Sequence, residues 1–112
     1  MKKCSDIFVI GKDVLATPAG EGVTRKVLGY TENVMVCEIK LEKGAVIPSH
    51  AHPHEQCTTL ISGKCSFTIG DETKEVGAGD SMIMGANVPH SIIALEECMV
   101  IDVFTPMRED FV

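Results

Sequence analysis

The feature that most narrows the fold is a period of two in the apolar residues. In "NVMVCEIKLEKG", Met35, Cys37, Ile39 and Leu41 fall on one side of an extended chain, and Val34, Val36, Glu38 and Lys40 on the other. This predicts a strand with one fully apolar face, ended by the turn residues Lys43 and Gly44. The same reading predicts strands over 23–30, 56–62, 65–70, 73–76, 81–84, 91–95 and 99–105, separated by "SGK", "GDE", "GAGD" and "GANVP". No apolar stripe recurs at helical spacing. Many short strands at close spacing predict an all-β sandwich or barrel, and closure also removes exposed sheet edges from so small a domain. The tail "MREDFV" reads as a short charged extension with one helical turn.

Composition limits the alternatives. The 112 residues suffice for one domain, spanning 1–112, and the hydrophobic share of 45% without tryptophan calls for an aliphatic core. A formal charge of -6 would repel a polyphosphate backbone, so no nucleic-acid partner is expected. The five cysteines are odd in number and lack a C-x-x-C pair, which argues against a disulfide framework and a zinc knuckle. They are expected to be reduced and mostly buried. The apolar run Ile7 to Ile10 is too short for a signal-peptide core or a membrane span, so a soluble cytoplasmic protein with no membrane partner is expected.

Three of the four histidines fall within "SHAHPHEQC" (49–57). His50 and His52 are two apart, so on an extended chain both imidazoles project from one face and can chelate one ion. By itself H-x-H is equally compatible with a solvated polar loop. The surrounding spacing is more specific. Gly44 lies six positions before His50, Gln56 four after His52, and Gly63 seven after Gln56, while Gly79-Asp80 and Pro89-His90 frame a later strand.

These two blocks, 44–63 and 77–94, resemble the paired motifs of the cupin superfamily. The resemblance implies a single jelly-roll barrel and a metal held by His50, His52, Gln56 and His90. An amide oxygen at Gln56 in place of the commoner carboxylate leaves more positive charge on the ion, a stronger Lewis acid held by a weaker ligand. Glu55, adjacent on the same strand, is expected to face outward. His54 follows Pro53, which interrupts the strand, and is assigned a supporting role. One divalent transition metal is implied, and Ni, Zn, Mn, Fe and Co all suit three imidazoles and an amide.

In "CMVIDVFTPMREDF", Asp102 alternates with apolar neighbours, and the pattern alone favours a surface aspartate. The string "DVFTPMREDF" (102–111), together with "HPHEQ" and "NVPH", is similar to the small KdgF-type cupins of polyuronate breakdown. That branch linearises 4,5-unsaturated uronate monosaccharides to 5-keto-4-deoxyuronate. The resemblance implies that Asp102 moves protons, Arg108 holds the carboxylate of an anionic sugar, and Phe104 packs on the sugar. Two rivals remain: a cupin dioxygenase holding Fe(II), and a metal- or sugar-binding barrel without turnover. A homodimer is expected, with "VTRKVLGY" or the apolar face of 35–41 as its surface.

Overall fold

The computed structural model describes residues 4–112. Ten strands follow in chain order: β1 (Thr17–Gly20), β2 (Val23–Thr31), β3 (Val34–Leu41), β4 (Val46–His50) and β5 (Glu55–Ser62), then β6 (Lys64–Ile69), β7 (Glu72–Gly77), β8 (Ser81–Met84), β9 (His90–Ala94) and β10 (Cys98–Thr105). Two short 3-10 turns, at Gly11–Asp13 and Glu109–Phe111, are the remaining regular elements among the described residues. No helix among them is long and apolar enough to cross a membrane.

A six-stranded sheet runs in the order β1-β2-β3-β10-β5-β8 and a four-stranded sheet in the order β4-β9-β6-β7, with every pairing antiparallel. The nearly all-β architecture expected from the period-two pattern is thus observed. The predicted strands are found within a residue of their expected bounds. β1 and β4 were not predicted, because "TPAG" and "VIPSH" carry no alternation. Pro48 is tolerated because β4 lies at a sheet edge, where the β4–β9 register slips between Ile47 and His50.

Met35, Cys37, Ile39 and Leu41 are all buried in the core, together with Leu60, Cys65, Phe67, Val100 and Phe104. The apolar face of 35–41 therefore lines the barrel interior and is not available as a dimer surface. The outer side of "VTRKVLGY" is partly covered by the chain's own start, because Ser5 N–H donates to the Tyr30 carbonyl and Lys26 Nζ to the Gly11 carbonyl. All five cysteines are free; Cys37, Cys65 and Cys98 are buried, while Cys4 and Cys57 are exposed. Cys57 faces outward because it alternates with the inward Gln56 and Thr58 on β5.

Gly63, the last glycine of the first motif, has a structural reason. Its φ is +86°, and a Cβ there would lie 2.6 Å from the Cys98 Cβ and closer still to the Glu97 carbonyl. A bare backbone at this turn lets β5 pass into β6 against the start of β10.

Candidate metal centre and its cavity

His50 ends β4 directly opposite His90, which begins β9. His52 lies just beyond β4 rather than on it, in the irregular segment leading to β5. The Asn87 amide N–H donates to the His52 carbonyl (2.8 Å), tying this segment to the loop before His90. The ligating nitrogens of His50, His52 and His90 all lie within 4.8 Å of one another.

The ring protons are arranged by the backbone. His50 Nδ1 faces the Pro48 carbonyl (2.9 Å), His52 Nδ1 the His54 carbonyl (3.1 Å) and His90 Nδ1 the Val88 carbonyl (2.9 Å). A carbonyl can only accept, so each Nδ1 carries a proton, and in the neutral tautomer that this selects, the Nε2 lone pair is the one offered to a metal. Burial lowers the pKa of His52 and of His90 below the ordinary histidine value, which favours the neutral rings a metal requires.

Gln56 lies beside the histidine group. Its Oε1 lies 3.0 Å from His52 Nε2, and its Nε2 donates to Thr58 Oγ1 (2.9 Å). The Thr58 hydroxyl in turn donates to Asp102 Oδ1 (2.7 Å), leaving its lone pair for the amide. This one-way chain turns the amide oxygen of Gln56 toward the histidines, where it meets the lone pair of His52. Two acceptors at that distance repel unless a cation lies between them. His90 Nε2 is also buried with no hydrogen-bond partner. The donor set thus fits a divalent ion held by His50, His52, His90 and Gln56, each supported by a second hydrogen bond.

His54 is not part of the histidine group. Its carbonyl accepts from His52, its ring stands 6.5 Å from that of Phe104, and its Nδ1, like His90 Nε2, is buried with no hydrogen-bond partner. Glu55 is exposed, as its strand parity requires.

Asp102 is buried, contrary to the surface position its sequence pattern favours. β10 is central, paired with β3 on one side and β5 on the other, so its inward residues face the cavity from both directions. Asp102 pairs with Cys37 and Thr58, and Phe104 with Met35 and Gln56. Burial pushes the Asp102 carboxyl up to about 6, against the opposing hydrogen bonds of Thr58 and Gln56 and the charge of Arg108.

His50, His90, Gln56, Thr58, Asp102, Phe104 and Arg108 line one cavity of about 290 Å³ that also receives Arg25, Pro48 and Phe111. Phe104 is buried in its floor at 2% exposure, its ring 5.8 Å from His52 and 5.7 Å from Phe111. Arg108 binds Asp110 through Nε (3.1 Å) and Nη2 (2.9 Å). That pair uses one edge of the guanidinium and leaves the Nη1 edge unoccupied. A larger depression of about 580 Å³, between Pro18, Glu42 and Glu97, contains none of these residues.

Thr58, Arg25 and Phe111 were not singled out from the sequence. The signals were faint: Thr58 shares the parity of Gln56, and Arg25 interrupts an inward row between Val23 and Val27.

Comparison with known proteins agrees with this geometry. The cupin domain family matches residues 37–104. The chain is 31% identical over 94 residues to the pectin degradation protein KdgF of Dickeya dadantii, covering 82% of this chain and 86% of that one. It is similar to an RmlC-like cupin from Shewanella frigidimarina, with a TM-score of 0.96 and 32% identity over 99% of this chain and all of that one. It also resembles KdgF from a Halomonas species, with a TM-score of 0.91 and 27% identity over 96% of this chain and all of that one. With the motif histidines on one centre and the match running through both motifs, the chain belongs to the cupin family, among its KdgF-type members.

Proposed function

We propose that this cupin is a metal-dependent enzyme of pectin or alginate breakdown that converts 4,5-unsaturated uronate monosaccharides to 5-keto-4-deoxyuronate. The observation that carries the reading is a buried carboxylate, Asp102, lining one cavity with His50 and His90 of the three-histidine group. Similarity to KdgF, a pectin degradation protein, supports a pectin-derived sugar acid as the substrate.

The reaction is a redistribution of protons without redox change. Loss of the C1 hydroxyl proton opens the ring by breaking the bond from C1 to the ring oxygen. The C1 hydroxyl carbon becomes the aldehyde, the departing ring oxygen is left as an enolate on C5, and one proton added at C4 turns that enolate into the C5 ketone. Asp102, with its carboxyl raised to about 6, suits both roles: it takes the first proton as base and delivers one to C4 as acid. Thr58 donates to Oδ1 and so fixes the carboxyl where it lines the cavity. Arg108 binds the uronate carboxylate through its Nη1 edge while Asp110 holds the other edge. Phe104 forms the apolar floor beneath the sugar. A bound divalent ion polarises sugar oxygens and stabilises the developing negative charge.

The test is to mix purified, metal-loaded protein with the unsaturated monouronate from a lyase digest and follow loss of the double-bond absorbance. Acceleration over the spontaneous rate is expected, without oxygen uptake. A rate equal to the spontaneous one would sink the proposal, and turnover coupled to O2 consumption would move the chain to the dioxygenase reading.

The expected setting is the cytoplasm, whose reducing conditions suit five free thiols. The expected working unit is a homodimer, to be tested by light scattering. Ile7 and Phe8, 95% and 80% exposed on the segment whose Ser5 bonds to Tyr30 of β2, are the exposed apolar side chains that favour this reading.

A further inference from the structure

Arg25 occupies an unusual position for an arginine. It lies on β2 opposite Ile39, between Val23 and Val27, so its side chain leaves the sheet on the core-facing side. It lines the same cavity as His50, Asp102 and Arg108. Its guanidinium carbon stands 3.7 Å from the centroid of the Phe111 ring, against which Arg108 also stands, at 4.2 Å. The two cations therefore share one aromatic ring at the cavity rim.

Their charge states differ. Arg108 is neutralised by Asp110 at 2.9 Å, whereas among the described residues Arg25 has no ion pair with a carboxylate. A chain of net charge -6 thus keeps a half-buried guanidinium without a directly paired carboxylate at the rim of the cavity that Asp102 also lines. Arg108 already has its carboxylate in Asp110, whereas the Phe111 ring holds the planar fork of Arg25 in place with its charge unpaired.

We propose that Arg25 is a second anion-binding residue, and that the carboxylate of the substrate is held jointly by Arg25 and Arg108 over the Phe111 rim. Arg25 supplies a positive charge that no carboxylate directly pairs, and Arg108, aligned by Asp110, supplies direction. This rests on the uronate reading for its ligand class but is tested by binding alone, so the two can fail separately.

The experiment uses D-galacturonate, which has no ring double bond and cannot turn over, and its neutral methyl ester as probes of the metal-loaded protein in calorimetry. The wild type is expected to bind the acid at least tenfold more tightly than the ester. Arg25→Met, which keeps an apolar stem on Phe111, is expected to lose that preference while retaining metal content and melting temperature. Arg25→Lys, with charge but no fork, is expected to recover part of it. Arg25→Met binding the acid as tightly as the wild type overturns the proposal. So does a wild type that binds neither probe, or binds both equally, whatever its turnover of the unsaturated uronate. In steady state, Arg25→Met is expected to raise KM tenfold or more and change kcat less than threefold. A fall in kcat at unchanged KM would also overturn it.

Discussion

The metal centre and the acid-and-anion side of the cavity are built by different means. Three of the four proposed metal ligands come from seven consecutive positions, 50–56, and each histidine is oriented by a carbonyl two residues away along the chain. Only His90 arrives from elsewhere, opposite His50 in a two-strand pairing. The other side draws Arg25 from β2, Thr58 from β5, Asp102 and Phe104 from β10 and Arg108 from the tail. Local hydrogen bonds hold the first, and sheet register holds the second. Loss of one group on the acid side is therefore expected to leave the metal centre intact, except through the link at Thr58.

The largest effect is expected from His90→Ala. It removes a ligand outright, so metal affinity should fall well beyond the roughly 10–100-fold that an outer hydrogen bond is worth. Turnover of the unsaturated uronate should disappear with it. Metal retained at wild-type stoichiometry and affinity, measured by titration with a chelator, would contradict the assigned centre.

Asp102→Asn comes next. The amide keeps the shape and can still accept from Thr58, but it cannot exchange protons, so kcat should fall by about 10²–10⁴. Metal content should be unchanged. Loss of metal in this variant would mean that the two sides are one unit and would erase the contrast drawn between them.

A third test uses the metal-free protein. The Asp102 carboxyl is raised from 3.8 to about 6 in the folded state, so the native form binds its proton more tightly than the unfolded chain. Its contribution to stability is present below about 3.8 and is lost as pH rises through about 6. The full span is roughly 3 kcal/mol. Histidines with lowered pKa act in the opposite sense over an overlapping range. The readout is therefore the difference between wild type and Asp102→Asn in denaturant midpoint at pH 4 and pH 7. The variant should gain on the wild type as pH rises; a difference that does not change with pH would rule out a buried, raised carboxyl.

The smallest effect is expected from Thr58→Val, which replaces the hydroxyl at nearly constant volume. Gln56 loses the acceptor that turns its amide, and Asp102 loses a donor. Metal affinity should drop about tenfold and Thr58→Ser should restore it. An unchanged affinity in Thr58→Val would show that the amide orientation does not depend on the chain from Asp102.

The same division explains what could be read in advance. The strand pattern was legible wherever alternation was strict, as in β3, and illegible in β1 and β4, which contain proline and little alternation. His50 and His52 could be recognised as chelating because neighbouring residues in the chain are neighbours in space. Asp102 could not be placed inside from its own strand. Its burial follows from β10 being sandwiched between β3 and β5, a pairing between segments more than forty residues apart in the case of Thr58.

By itself, the amino-acid sequence determined the all-β class, the turn positions and the histidine cluster, because these depend on period, turn chemistry and short spacing. Only the tertiary structure decided that Asp102 is a buried acid, that Thr58 links it to Gln56, and that Arg25 and Arg108 meet on Phe111. Those are relations between distant strands, set by sheet order and register, and no local pattern carries them.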